Sequence, residues 1–305
     1  MAMLALIAGA TASGKSALAL SLAERTGGAI VNADSSQVYR DLPIVSAAPP
    51  ADEQARAEHR LYAYLDGSVA CSAADWAERA KQEIGAIHKS GRLPILVGGT
   101  GLYLRTLLEG IAPVPPIDPE VRAKVRERPV EKNLAELAKL DAGAAARLNP
   151  GDSARVARAL EVVVSTGKSL ADWQRDRVGG IGGDVDLRAM ILLPPRDWLY
   201  ARCDGRFAQM ADQGAIDEVR ALLARDLKPE LPVMRGIGVR EISAFLRGEV
   251  RLAEAIAAGQ QATRRYAKRQ YTWFAHQPPA DWPRFTEPLE GKNVKEALGL
   301  ISPSP

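Results

Sequence analysis

The chain has 305 residues, 40 Lys and Arg against 37 Asp and Glu for a net charge of +3, two cysteines and three histidines. That length buries a large core without disulfides, no apolar run approaches the roughly 20 residues that cross a bilayer, and so few thiols and imidazoles cannot furnish a spaced zinc site. The net charge is too small to prove nucleic-acid binding, so the placement of the cations must carry that question. With no cleavable signal at its start, the chain is expected in the cytoplasm.

Met3–Ala8 reads as a buried strand and Lys15–Thr26 as an amphipathic helix stopped by Gly27-Gly28. Between them, Gly9, Ala10, Thr11, Ala12, Ser13, Gly14, Lys15 and Ser16 satisfy the phosphate-loop pattern G-x-x-x-x-G-K-[ST] in its required strand–loop–helix context. Backbone N–H groups of such a turn converge on phosphate oxygens at a helix N-terminus, Lys15 adds a point charge, and Ser16 can hold Mg²⁺.

A second strand over Ala29–Ala33 runs into Asp34, Ser35, Ser36 and Gln37; a helix is predicted over Ser72–Ser90, and a third strand over Leu93–Val97 runs into Gly98-Gly99-Thr100-Gly101. Nucleotide hydrolysis normally needs a second acidic residue at the end of such a strand, and here backbone and a hydroxyl stand in its place. Strand ends on the loop side form the ligand crevice of doubly wound sheets, which would put Asp34, Thr100 and the phosphate loop at one site. Taken by itself, Asp34 reads more readily as a helix N-cap.

The proline-rich break Pro113–Pro119 opens a helical insertion over 116–184, a fourth strand follows over Leu187–Leu193, helical sequence resumes at Asp197, and the chain thins into a tail over 286–305. The expected fold is therefore α/β, a P-loop NTPase-like parallel sheet flanked by helices, with a discontinuous core (1–115 and 185–285) and a helical insertion. The insertion holds Arg122, Lys124, Arg126 and Arg128, then Arg155 and Arg158, with 122/126 and 155/158 on common helix faces. Such runs suit a solvated face or a polyanion. From Ala255 to Ala280 there is no acidic residue, while Arg264, Arg265, Lys268 and Arg269 alternate with Tyr266, Tyr271, Trp273 and Phe274. Cations and aromatics without counter-charge suit RNA, as they also suit a helix that buries its rings and solvates its charges.

The phosphate loop, Asp34-Ser35-Ser36-Gln37-Val38-Tyr39-Arg40, Val97-Gly98-Gly99-Thr100-Gly101-Leu102-Tyr103, Arg158-Ala159-Leu160-Glu161-Val162 and Ala267-Lys268-Arg269-Gln270-Tyr271-Thr272-Trp273 resemble, in this order, the bacterial tRNA dimethylallyltransferases (tRNA adenine isopentenyltransferases). The resemblance implies Mg²⁺-dependent transfer of a dimethylallyl group from dimethylallyl diphosphate to N6 of adenine 37, beside the anticodon, in tRNAs reading codons that start with U. It implies Asp34 as the base, Thr100 as a positioning hydroxyl, Lys15 and Arg206 as cations on the departing diphosphate, and Ser16 on the metal. tRNA contacts are implied for Asp34, Ser35, Ser36, Gln37, Thr100, Arg122, Ala154, Arg155, Val156, Ala157, Arg158, Arg235, Arg240, Lys268 and Arg269. The partners expected are the anticodon stem-loop and the prenyl donor, with no membrane, and the chain is expected to be a monomer. The chain departs from the family pattern at Ala10 for a common proline, at Ser46-Ala47-Ala48-Pro49 for Thr-Ala-Lys-Pro, at Val239 for a tyrosine and at His59-Arg60-Leu61, which keeps one of two typical histidines.

Two other classes compete. A small-molecule P-loop kinase or ATPase is disfavoured by the missing second carboxylate and by the basic insertion, and a non-catalytic RNA-binding module would have no use for Asp34. Prenylation of free adenine nucleotides would leave the insertion and the basic helix without a purpose.

Overall fold

The computed structural model describes residues 1–302. The chain runs β1 (Ala2–Gly9), α1 (Lys15–Thr26), β2 (Ala29–Asn32), α2 (Ala51–Arg56), β3 (Glu58–Arg60), α3 (Ala73–Lys89), β4 (Pro94–Gly98), α4 (Gly101–Glu109), α5 (Pro119–Glu127), α6 (Val130–Leu140), α7 (Ala142–Arg147), α8 (Ser153–Thr166) and α9 (Leu170–Trp173). It continues through β5 (Val185–Leu192), α10 (Arg196–Met210), α11 (Ile216–Leu223), α12 (Val239–Leu246), α13 (Leu252–His276), β6 (Arg284–Phe285) and α14 (Lys292–Ile301).

The strands form one parallel sheet in the order β3-β2-β4-β1-β5-β6. Leu4 to Ala8 are fully buried because β1 is central and covered on both faces, which is why it reads as an unbroken apolar run. One face packs on Leu18, Leu22 and Ala23 of α1 and on Ala297, Leu298 and Ile301 of α14. The chain leaves β1 toward β2 and β3, returns to β4, then crosses to β5 and β6. The strand order therefore reverses at β1, and a ligand crevice is expected at its carboxyl end.

Two compact units are present, one of Met1–Leu107 with the chain from Ile181 onward, the other Leu108–Gly180. The inserted unit begins and ends some residues before the 116 and 184 expected. The cause is a clasp: Ile111 and Val178 exchange N–H···O=C bonds in both directions, each 3.0 Å, joining the two ends of the insertion ahead of the prolines. Its own core joins Val125, Leu137, Val156, Leu160 and Val163 from α5, α6 and α8.

The expected tail over 286–305 is corrected. Leu289 lies against Gly14 of the phosphate loop, Glu290 accepts from Trp198 Nε1 at 3.0 Å, and α14 buries its apolar face on α1; residues 303–305 of that segment lie outside the described residues. The strands β3 and β6, of three and two residues, are too short and too charged to show in hydropathy.

Candidate active site

At the end of β1 the backbone turns through left-handed Ala12 (φ 63) and Gly14 (φ 95) into α1, whose first turn has no acidic residue. Successive amides are thereby presented together at the positive end of a helix, which is an anion site before any side chain is considered. Lys15 Nζ donates to the Ala10 carbonyl at 2.7 Å. Burial pulls its pKa down to about 8, nearby Arg206 adds to the fall, and the charge of Asp34 opposes it. Ser13 Oγ is buried and has no hydrogen-bond partner among the described residues.

From the opposite side, α10 brings Arg206, whose guanidinium donates to Thr11 Oγ1, and Arg202, whose Nε donates to the Ala12 carbonyl at 3.0 Å while the guanidinium lies 4.7 Å from the Trp198 ring centroid. Burial lowers the pKa of Arg206, and the charge of Asp34 reaches it as it reaches Lys15.

Asp34 caps no helix. It sits in a turn templated by the buried Asn32, whose Oδ1 accepts the Asp34 N–H at 2.8 Å and whose Nδ2 donates to the carbonyls of Asp34 and Leu61, both at 3.0 Å. Asp34 Oδ1 accepts the Ser36 N–H at 2.9 Å, and the residue lines the cavities described below. Thr100 serves this turn: its Oγ1 accepts the Ser35 N–H at 3.0 Å and donates to Ser35 Oγ at 3.3 Å. Gln37 is likewise engaged, its Nε2 donating to the carbonyls of Ser46 (3.1 Å) and Ala47 (2.6 Å), so the amide expected to read a base edge braces the 43–48 loop. The other side of that loop is held by Glu218, which accepts the N–H groups of Ile44 and Val45 at 2.7 and 2.9 Å.

One buried side chain joins the phosphate loop to the Thr100 turn. Gln270 on α13 accepts the Thr11 N–H at 2.8 Å and donates to the Gly99 carbonyl at 2.8 Å. A Cβ at Gly99 would stand 2.3 Å from Gln270 Nε2, so any side chain there would push this amide out of its hydrogen bonds. Tyr266, one turn earlier, hydrogen-bonds toward Thr100 and Gln270, and burial followed by the charge of Asp34 raises its phenol pKa.

Two cavities meet here. One of ≈ 660 Å³ is lined by Lys15, Ser16, Arg202, Arg206 and Gln209; the other of ≈ 320 Å³ is lined by Tyr39, Phe207, Met210, Thr263, Tyr266 and Arg235. Thr11, Asp34, Ser46, Arg206 and Met210 line both, so the carboxylate stands where a bound anion and a bound apolar or aromatic group would touch.

The residues expected to meet RNA divide. Lys268, Arg269 and Arg240 are exposed, and Arg235 and Arg269 line the smaller cavity. Arg264 is spent on Asp204 of α10, a counter-charge distant in sequence. Phe274 is buried, Tyr271 reaches the Leu193 carbonyl, and Trp273 packs over Gly101 beneath Arg105, which leaves Tyr266 as the ring that α13 turns to the cavity. Val239 is buried, so nothing stacks from that position. In the inserted unit Arg122, Ala154 and Arg155 are exposed, and Arg158 is partly exposed. Val156 is fully buried in the unit's core and Ala157 packs against it, which removes Val156 from any RNA surface.

Asn32, Arg202, Glu218, Tyr266 and Gln270 are site residues that pattern reading does not assign. Asn32 leaves a trace as a polar residue ending an apolar strand, and Arg202 as the i−4 neighbour of Arg206. The roles of Glu218 and Gln270 depend on partners more than 170 positions away and leave none.

A parallel sheet whose central strand ends in a phosphate loop, with two arginines closing on it and an aspartate beside it, defines a P-loop α/β protein with a built anion-binding site. Residues 37–277 match the IPP transferase family model. The tRNA dimethylallyltransferase of Sphingopyxis alaskensis is 62% identical over 94% of both chains, and that of Zymomonas mobilis 50% identical over 97% of this chain and 96% of its own. Among solved structures, the full-length tRNA isopentenylpyrophosphate transferase of Bacillus halodurans is similar with a TM-score of 0.72 at 34% identity, covering 99% of this chain and 96% of that one. A eukaryotic dimethylallyltransferase acting on tRNA has a TM-score of 0.78 at 29% identity, covering 90% and 70%. The chain belongs to the IPP transferase family.

Proposed function

We propose that this chain transfers the dimethylallyl group of dimethylallyl diphosphate to N6 of adenine 37 in tRNAs reading codons that start with U, the reading drawn from the family and from the site. The observation that carries it is the placement of Asp34 on the shared wall of the two cavities, with cations on one side and aromatic walls on the other. The larger cavity takes the diphosphate and the smaller one the extruded purine with the prenyl chain. An adenine in the anticodon loop reaches such a site only by leaving its stack.

Breaking the allylic C–O bond sends its electron pair to the diphosphate oxygen. Lys15, Arg202, Arg206 and the loop amides then meet more charge in the transition state than in the bound donor, which is the condition for accelerating the step. The N6 lone pair is delocalised into the ring, so the N–C bond forms as the N6 proton passes to the Asp34 carboxylate. Thr100 and Asn32 fix the turn that aims that carboxylate, and Gln270 holds it in register with the phosphate loop. No water-activating acid is needed.

Mg²⁺ fits the donors present. Ser16 is an exposed hydroxyl in the first turn of α1 on the diphosphate cavity, and no group of three or more His, Cys, Asp or Glu side chains able to hold a metal occurs among the described residues. One serine oxygen with diphosphate oxygens and water is the donor set this ion favours. When bound it would add positive charge at the leaving group.

Both cavities are lined by one chain, consistent with action as a monomer. No helix among the described residues is long and apolar enough to cross a membrane, and the proposed place of action is the cytoplasm, with the tRNA. The test is incubation with Mg²⁺, dimethylallyl diphosphate and unmodified tRNA, read by mass spectrometry. One added C5 unit on one adenine is expected, with AMP a poor acceptor. Release of phosphate from ATP without prenylation would overturn the proposal in favour of a kinase or ATPase.

A further inference from the structure

The inserted unit contains a buried charge that the transfer reaction does not use. Glu161 on α8 is completely buried, and three arginines surround it: Arg126 Nε at 2.9 Å from Oε1, and Arg122 Nε and Arg158 Nη1 each at 3.9 Å from Oε2. The last two distances are attractive but too long for hydrogen bonds, and Glu161 Oε2 accepts none among the described residues. The side chains of Arg122, Arg126 and Arg158 are nonetheless 46%, 64% and 42% exposed. One carboxylate therefore tethers three guanidinium groups from below, while their remaining N–H donors face outward with a net charge of +2.

A buried carboxylate needs one good partner. Three around it crowd like charges, and the pKa of Arg158 falls through burial and through repulsion by Arg122 and Arg126, with Glu161 opposing. Such crowding is relieved when an anion settles over the cluster. Planar forks converging from two helices, α5 and α8, match the oxygens of a phosphodiester.

We infer that Glu161 is a positioning residue that gathers Arg122, Arg126 and Arg158 into a preformed clamp for an RNA backbone phosphate, with Arg126 an RNA-contacting residue. The inference rests on tRNA as the substrate. It makes an unusual prediction of sign. Replacing a glutamate by a neutral residue ordinarily strengthens nucleic-acid binding, because one negative charge is lost. Here the freed arginines rehydrate and separate, and binding should weaken.

The experiment measures binding of unmodified tRNA by fluorescence anisotropy across a KCl series for the full chain, Glu161→Gln and Arg126→Gln, with circular dichroism confirming the fold of each. Glu161→Gln is expected to bind roughly tenfold more weakly, the scale of one charge-assisted contact. Arg126→Gln, which takes the one hydrogen-bonding guanidinium from buried Glu161 and is therefore read only where circular dichroism shows the fold intact, is expected to lower the slope of log K against log[KCl] by about 0.7 to 0.9, one phosphate contact. Arg122→Gln, which removes no hydrogen bond from Glu161, serves with the same expected fall in slope if either variant fails to fold. Equal or tighter binding by folded Glu161→Gln, or an unchanged slope for Arg126→Gln, would overturn the inference. So would polyglutamate competing with tRNA as well as poly(A) does, which would reassign the clamp to an acidic protein. Failure of the unaltered chain to bind tRNA would instead sink the proposed substrate, which separates the two readings.

Discussion

Asp34 and Lys15 face one another electrostatically across the junction of the cavities, and each makes a distinct prediction. Asp34→Asn keeps the Oδ1 acceptor for Ser36 but removes the proton acceptor for N6. Turnover should fall by about 10²- to 10⁴-fold, the usual worth of a general base. tRNA affinity should stay within about twofold, since one side chain among many RNA contacts is altered without loss of a cation. Single-turnover prenylation and anisotropy read the two separately. Lys15 has a folded-state pKa of about 8 against its ordinary 10.5, because burial disfavours its charge. The diphosphate requires the protonated amine, so donor affinity should decline as pH rises through about 8, with a proton taken up on binding above that value. Calorimetry in buffers of different ionisation heat detects the uptake. For stability the sign is opposite: burying the charged amine is a penalty fully present below about pH 8 and relieved as pH rises from there toward 10.5, because over that window the unfolded chain holds more protons.

Helix α13 illustrates how one element serves two purposes. Its outward face shows Lys268 and Arg269, while Gln270, Phe274 and Ala267 face in. The i+4 step from Tyr266 to Gln270 places a phenol and an amide on the same stripe, against Thr100 and the phosphate loop. Gln270→Leu preserves volume but leaves the Thr11 N–H and the Gly99 carbonyl without this partner. It should lower kcat by roughly tenfold or more, because misplacing reacting groups is costly, and move tRNA affinity little. Gln270→Glu retains the acceptor for Thr11 and should recover less than half of the lost log kcat, since it cannot donate to Gly99. A kcat unaffected by Gln270→Leu would remove this residue from the positioning network. The basic and aromatic composition of α13 was legible in sequence. Which rings pack inward and which cation is spent on Asp204 was not, because the rings pack on α4 and on the end of β5 and the cation meets α10.

The sheet order, the reversal at β1 and the segment beyond β6 act together on the phosphate loop. Leu289 touches Gly14, and Leu298 and Ile301 fill the face of α1 that the loop leads into. Ending the chain after Phe285 should cost roughly 3 to 6 kcal/mol from the burial of Leu298 and Ile301 alone. It should also weaken donor binding by loosening the loop. Thermal unfolding with and without added diphosphate checks both, and an unchanged Tm would return the segment to the status of a tail.

Gly9–Ser16, the apolar strands β1, β2 and β4, the helix from Lys15 to Thr26 and the presence of a basic helical insertion are local properties. Each follows from side-chain periodicity, glycine placement or the spacing of a few residues, so the linear order of residues sufficed to read them. Tertiary structure decided the rest: that Asp34 sits in an Asn32-templated turn and not on a helix, that Gln37 and Thr100 brace loops, that Val156 is core, that Glu161 gathers three arginines, and that the C-terminal segment supports the phosphate loop. Those outcomes depend on burial and on hydrogen bonds between residues far apart in the chain. Whether a polar side chain meets solvent, substrate or another residue is settled only when distant segments have packed around it.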